Sequence, residues 1–394
     1  MPSAIVIGAG VFGASLADRL ARDGWEVRLV DRLEPAHPRA ESGGETRLIR
    51  CAHGPDGFYT RSAWRALELW RELGEGVLVE SGVAWFARRD DGWEADSEQV
   101  LRAEGVPVER LAPEDGARLF GGHRGQGRTG PGQGPARPRV KVDDLAHVLH
   151  EPEAGVLRAA QGVLALVRRA QAAGAVLLHG EARPEGGAVR VGAERLEADA
   201  LVWACGAWLG RLFPGLVPLR VTFQQLVLLD VPLGWEGPGW VDFEGAFYGH
   251  ARVEPFGFKV GPDEDGREVD PDERPLEAEP DALRTARAYL AHRFPAIADA
   301  PLASAPGCHY SLTPDGQFLF DRHPEHPDVW LLGGGSGHGY KHGPTLAEHA
   351  AAVLAGRAPP EPRFALGERT PARSLRTAGM LLGSAPARPP EREG

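Results

Sequence analysis

The sequence predicts an α/β fold built on a Rossmann-like sheet, and three stretches carry that prediction. In the first, the apolar run Ala4-Ile5-Val6-Ile7 ends in Gly8-Ala9-Gly10-Val11-Phe12-Gly13, and a helical pattern follows over residues 14–22. Gly24 stops that helix, and a second apolar run, residues 26–30, delivers Asp31. In the second, Ala200-Leu201-Val202-Trp203 runs straight into the small residues Ala204-Cys205-Gly206-Ala207 and Trp208, as a nucleotide-binding sheet does at its C-terminal edge. The third, residues 240–261, reads as paired strands rich in aromatics, the pattern of an antiparallel unit.

Strand, glycines, helix, strand and acid in this order form the dinucleotide fingerprint. Gly8 makes the tight turn, Gly10 lets a pyrophosphate approach the backbone, and Gly13 packs helix on strand. The N–H groups at the helix start, around Val11 and Phe12, receive the phosphate charge, and Asp31 accepts from ribose hydroxyls. The fingerprint alone does not choose between FAD and NAD.

The chain has 394 residues, 42% of them hydrophobic, enough for a large core and two domains. Cys51, Cys205 and Cys308 are too few and odd in number for a disulfide framework, which points to a reducing, cytoplasmic setting. No basic region precedes an early apolar stretch, and no segment approaches 18 apolar residues in a row, so neither a leader nor a membrane span is expected. A net charge of −11 argues against nucleic acid or an anionic membrane as the main partner.

After Asp31 and Arg32 comes a polar loop with Ser42, then Gly43-Gly44-Glu45-Thr46-Arg47-Leu48-Ile49-Arg50. Two guanidinium forks three residues apart suit an anionic ligand, although surface arginines on a loop read the same way. Residues 57–75 read as an amphipathic helix, residues 82–87 as a strand and residues 97–104 as a short helix. Residues 121–138 are glycine-, arginine- and proline-rich with almost nothing apolar, the composition of a mobile loop. A helix over residues 159–173 ends at Gly174 and leads into the strand 175–178. Residues 220–231 read as one long strand, and Lys259 stands among apolar neighbours, either snorkelling to water or held in a cleft. A helix over residues 281–294 follows. Toward the end, Gly333-Gly334-Gly335-Ser336-Gly337-His338-Gly339-Tyr340-Lys341 again opens a helix, residues 344–354, and lets backbone approach a ligand. The histidines lack a metal-ligand spacing, so no metal is expected, and residues 369–394 read as a frayed tail.

Several blocks together resemble the monomeric sarcosine oxidase and N-methyltryptophan oxidase family of FAD-dependent amine oxidases. They are the fingerprint, residues 44–50, Glu151-Pro152-Glu153-Ala154-Gly155, residues 204–208, Tyr248 with Lys259, residues 308–315 and residues 337–341, in family order. The resemblance implies a Rossmann-like FAD-binding domain interleaved with an α+β substrate domain built on an antiparallel sheet. Residues 1–81, 148–212 and 313–368 fall to the first, residues 82–147 and 213–312 to the second. It implies oxidation of a secondary or N-substituted amino acid, cyclic ones included, by hydride transfer to the flavin. The imine product hydrolyses, and O2 reoxidises the flavin to give hydrogen peroxide.

By position, Cys308 resembles the cysteine that bonds the flavin covalently, and Lys259 the lysine that promotes reaction with O2. Arg50 and Lys341 resemble the pair that holds the substrate carboxylate, with Arg47 a further charge near the flavin and Tyr248 lining the pocket. Gly8, Gly10, Val11, Phe12, Gly13, Asp31, Arg32, Ser42, Thr46, Arg47, Gly337, His338, Gly339 and Lys341 complete the cofactor set. Two features depart from the family. Asp263 stands where sarcosine-oxidising members carry histidine, with His250 a substitute imidazole from the neighbouring strand, and Gly43 and Gly44 precede Arg47 where relatives carry histidine. The expectation is a cytoplasmic monomer acting on a small amine with O2; the rivals are a flavin-dependent dehydrogenase feeding a quinone or partner protein, and a flavin-binding protein without turnover.

Overall fold

The structure, a computed structural model, describes residues 1–121 and 139–371. The expected loop beyond Gly121 and the expected tail beyond Pro371 lie outside the described residues. Ser3–Ile7 sits within a six-stranded sheet, with Glu26–Asp31 and Val176–His179 on one side and Ala200–Trp203, Val329–Gly333 and Leu319–Arg322 on the other. Neighbours run parallel except the edge pair Leu319–Arg322 and Val329–Gly333. A parallel sheet is covered on both faces, which is why its strands read as near-continuous apolar runs. Ala4 and Val6 turn to one face, packed with Leu16, Leu20, Leu166 and Ala350 of the helices Val11–Arg22, Ala159–Ala172 and Gly343–Leu354. Ile5 and Ile7 turn to the other, against Val189, Leu209 and Phe213.

The fingerprint glycines are required by contact. Gly8 has φ +105°, and a Cβ there would lie 2.3 Å from the Ala204 carbonyl oxygen. One on Gly13 would lie 1.8 Å from the Gly8 carbonyl oxygen.

The second unit is an eight-stranded sheet in the order Leu302–Ser304, Val227–Leu229, Gly257–Pro262, Phe247–Val253, Gly239–Asp242, Val83–Ala87, His147–Glu151, Glu109–Leu111. Only Gly239–Asp242 with Val83–Ala87 is parallel. The helix Pro280–Arg293 covers it, with Trp240 stacked on Tyr289 at 5.5 Å between ring centroids. Buried Asp242 is the polar keystone there, bonded to Arg88 at 2.5 and 2.9 Å and to the Tyr289 hydroxyl at 3.0 Å.

Four sequence expectations change. Residues 148–151, given to the nucleotide-binding part, pair inside the eight-stranded sheet through His147–Glu151, so the chain crosses between the units after Glu151. The single strand 220–231 is two strands in different sheets, broken at Leu226: Arg220–Gln225 pairs with Gly307–Leu312, and Val227–Leu229 with Gly257–Pro262. Gln224 thereby stands opposite Cys308, and Leu228 opposite Lys259. The short helix starts at Trp93, earlier than residue 97, because that indole stacks on Phe243 at 4.3 Å. Arg369 is tied down: it pairs with Asp315 at 2.9 Å and donates to the carbonyls of Phe318 and Ala365.

Candidate active site

A cleft runs along the C-terminal edge of the parallel sheet, between the first glycine turn and the strand Gly307–Leu312. Gly8, Gly10, Val11, Phe12, Asp31, Arg32, Ser42, Arg47, Cys308, Gly337 and Gly339 all line it. The N-terminus of Val11–Arg22 opens onto this cleft, where an anion meets the positive end of the helix. Ser42 Oγ accepts from Val11 N at 2.8 Å, which fixes the loop 34–43 against that turn. Asp31 accepts from the backbone of Ala9 at 2.6 Å and Leu33 at 2.9 Å. Burial raises its pKa, with those amides pulling the other way. Arg32 lies at the rim, paired with Asp272 at 2.5 Å and stacked over Trp208.

Half-buried Arg47 stands on the wall of the cleft and buried Lys259 next to it, and one peptide group organises the two. The carbonyl oxygen of Thr46 accepts from Arg47 at 2.7 Å and from Lys259 Nζ at 3.0 Å. The Arg47 guanidinium also donates to the carbonyls of Glu41 and Gly43, and lies 3.8 Å from Cys308 Sγ. Carbonyl partners carry no charge, so the positive charge of Arg47 is left to act on the cleft. The nearby Glu41 carboxylate is bonded to the Ser311 amide and hydroxyl, both at 2.8 Å, and burial raises its pKa.

Lys259 does not snorkel. It is buried at 3% exposure, and burial first, then the charge of Arg47, lower its pKa to about 7. Behind it, His250 Nδ1 donates to the Ala251 carbonyl, so Nε2 accepts from the Thr46 hydroxyl at 2.8 Å. That commitment corrects the expectation for His250: its imidazole supports Thr46 from within the core instead of standing in for a substrate-facing histidine. The Tyr248 ring lies 5.7 Å from Lys259 Nζ, and its hydroxyl meets that of Tyr310 at 3.0 Å.

Arg50 and Lys341 come together in a second cluster. Arg50 donates to the Ala52 carbonyl at 2.5 Å and stacks over Trp85, 4.8 Å from the ring centroid. Lys341 is buried at 3% exposure; desolvation, then Arg50, hold its pKa well below the ordinary lysine value. Buried Glu151 accepts from Cys51 N at 2.6 Å and Trp85 Nε1 at 2.8 Å, placing a carboxylate under Arg50. Of the remaining expected cofactor residues, Gly13 faces the Gly8 turn, Thr46 braces Lys259, and the His338 imidazole turns into the core, bonded to the Gly316 carbonyl.

Sequence reading passed over Glu41 and Tyr310, and used Glu151 only as part of a motif. Glu41 carried no local signal, because only the distant Ser311 makes it a buried partner. Cys205 lines the cleft, and burial pushes its thiol pKa up, in keeping with an inert residue. Among the described residues, no helix is long and apolar enough to cross a membrane.

A glycine turn on a parallel sheet, an acid at the next strand end, and a cleft with a guanidinium and a thiol on its wall define a dinucleotide-dependent oxidoreductase. The chain belongs to the FAD dependent oxidoreductase family, whose model matches residues 3–353. It is similar to monomeric sarcosine oxidase of Bacillus sp. (strain B-0618), 27% identical over 368 residues, covering 86% of this chain and 88% of that one. It is also similar to N-methyl-L-tryptophan oxidase of Salmonella arizonae, 26% identical over 88% of this chain and 93% of the relative. Among solved structures, L-proline dehydrogenase from P. horikoshii shares the fold with a TM-score of 0.76 at 21% identity, covering 92% of this chain and 95% of that one. Amadoriase I from Aspergillus fumigatus does so with a TM-score of 0.71 at 22% identity, over 90% of this chain and 87% of that one.

The residues present fit FAD. Gly8, Gly10 and the helix N-terminus form a cradle that a side chain would fill, and Asp31 stands at the ribose position of the fingerprint. The wall beyond carries a thiol, Cys308, and a guanidinium, Arg47.

Proposed function

We propose that this chain is an oxidase of secondary or N-substituted amino acids, cyclic ones included, that holds its FAD covalently through Cys308. The observation that carries the reading is the pair Arg47 and Lys259, a half-buried and a buried cation sharing the Thr46 carbonyl beside Cys308. Mere flavin binding has no use for a desolvated ammonium at that place. The bound FAD supplies an acceptor for the hydride equivalent of the C–N bond and a donor of electrons to O2.

The protein's own groups do the rest. Arg50 and Lys341 take the substrate carboxylate, and a two-point clamp sets the amine-bearing carbon in one orientation. Glu151 below Arg50 steadies that arm through Cys51 and Trp85. Tyr248 and Tyr310, joined through their hydroxyls, wall the amine side and exclude water. Lys259 stabilises the negative charge that develops on O2, a preorganised effect in a dry site. The substrate amine gives its proton to solvent as it binds, so no protein base is required. Asp263, whose backbone N–H is bonded to Ala246 O at 2.7 Å, adds a negative charge beside Tyr248. That charge disfavours sarcosine itself and suits a substituent that carries a positive charge. The same reading makes the enzyme a cytoplasmic monomer.

The test is anaerobic. The yellow protein is mixed with sarcosine, N-methyl amino acids, pipecolate, proline, glycine and D-amino acids, and then with air. Bleaching by one amine, followed by rapid recovery with peroxide, is expected. Bleaching with slow recovery in air identifies a dehydrogenase, and no bleaching by any of these amines removes the proposed substrate class.

A further inference from the structure

Behind the glycine turn that ends at Lys341, three histidines converge that no function described so far uses. His53, His338 and His342 are buried, at 2%, 6% and 0% exposure, with ring centroids 5.4 to 6.1 Å apart. One nitrogen from each ring lies within 4.8 Å of one from each of the others. They come from distant parts of the chain: His53 follows the strand Thr46–Ile49, and the other two flank the turn before Gly343–Leu354.

Their hydrogen bonds determine what each ring presents. His53 Nδ1 meets the Cys51 carbonyl at 3.0 Å, and His338 Nε2 meets the Gly316 carbonyl at 3.0 Å. A carbonyl only accepts, so those nitrogens carry the protons, and His53 Nε2 and His338 Nδ1 carry lone pairs. For His342 a hydroxyl relay gives the answer. Thr345 Oγ1 donates to the His342 carbonyl, so Ser62 Oγ donates to Thr345 Oγ1 and in turn accepts from His342 Nδ1 at 2.9 Å. That leaves a lone pair on His342 Nε2. Among the described residues, neither His53 Nε2 nor His342 Nε2 has a hydrogen-bond partner. Lone pairs gathered in a buried cluster repel one another unless a cation lies between them.

We infer that His53, His338 and His342 form a site for one divalent transition metal of the zinc class. Imidazole is the fitting donor, and each ring has its other nitrogen anchored to a carbonyl or hydroxyl, as metal-binding histidines do. Tetrahedral ligation at about 2.0–2.1 Å would draw the nitrogens together by roughly an ångström, leaving a fourth position for water or another small ligand. Among the described residues no carboxylate joins the set, and Lys341 and Arg50 nearby oppose a dication. The site is therefore weaker than one with thiolate ligands. Its role is structural: it ties the segment after Arg50 to the turn holding Lys341. That consequence alone rests on the proposed carboxylate clamp.

The test uses holoprotein, its flavin in place, freed of metal by chelation and equilibrated with micromolar zinc. The readouts are bound zinc by elemental analysis and thermal stability, both independent of amine turnover. About one zinc per chain and a raised Tm are expected. His53→Phe and His342→Phe should bring bound zinc to background. His326→Ala, which removes one ring of the half-buried stacked pair His323 and His326, should leave it unchanged. Should the phenylalanine variants fail to fold, Ser62→Ala keeps every ligand but frees His342, and should weaken zinc about 10–100-fold. Wild type that takes up no zinc, zinc retained in both phenylalanine variants, undiminished affinity in Ser62→Ala, or loss in His326→Ala would each overturn the assignment.

Discussion

Lys259→Met removes one charge from the proposed oxygen site while keeping an unbranched side chain of similar length. A unit charge about 5 Å from the negative charge developing on O2 is worth about 3 kcal/mol at an effective dielectric constant near 20. That corresponds to roughly a hundredfold in rate. The variant should therefore be reduced by substrate at close to the wild-type rate and reoxidised about a hundredfold more slowly. Stopped-flow absorbance separates the halves, first mixing oxidised enzyme with amine without air, then reduced enzyme with O2. Thr46 Oγ keeps its bond to His250 in the variant, so the surroundings hold their shape. A second readout is stability against pH. Burial holds the folded pKa of Lys259 at about 7, below the unfolded value of about 10.4. Between those values the unfolded chain binds more protons, so this residue makes wild-type stability rise with pH across the window. Below pH 7 both states are protonated, and the whole desolvation penalty weighs on the fold. Lys259→Met lacks that penalty and should gain least relative to wild type above pH 10. Equal slowing of both half-reactions, or reoxidation slowed less than threefold, would refute the reasoning.

Acid denaturation should leave flavin attached to the wild-type chain and release it from Cys308→Ser, which fluorescence of the precipitate and supernatant reads directly. Glu151→Gln replaces a buried carboxylate that accepts from Cys51, Ala52 and Trp85, and should destabilise the fold by about 1–3 kcal/mol. Its KM for the amino acid should rise more than its kcat falls, as steady-state peroxide assays would show. Asp242→Ala strands Arg88, Arg293 and the Tyr289 hydroxyl around an empty carboxylate position. It should cost about 3–5 kcal/mol in denaturant melts.

What could be read from residues alone followed from locality. The fingerprint was legible because strand, turn, helix and acid all lie within residues 4–31, although only Gly13 answers a contact inside that stretch; Gly8 and Gly10 answer Ala204 and Ser42. The alternating pattern of residues 240–261 likewise reported its own hairpins. The break at Leu226 was not, since nothing in Gln225-Leu226-Val227 marks a turn, and only pairing with two distant strands imposes it. Arg369 looked like part of a tail because its partners Asp315 and Phe318 lie some fifty residues upstream. The three histidines had no recognisable spacing, since one comes from residue 53 and two from residues 338 and 342. In the site itself, Lys259 was visible as a charge among apolar residues, while the Thr46 peptide that holds it was not.

The break at Leu226 has a mechanical consequence. Cys308 and Lys259 belong to strands of different sheets, yet both are laced to one short run of chain, opposite Gln224 and Leu228. That run acts as a yoke: the thiol and the ammonium are indexed to a common rail, so they keep their spacing whatever the outer hairpins do. Among the described residues, the turn at residues 244–246 is not bonded to that run, whereas residues 263–272 brace it through Arg267 and Val269. A single residue inserted at Leu226 would shift one against the other and misalign both at once.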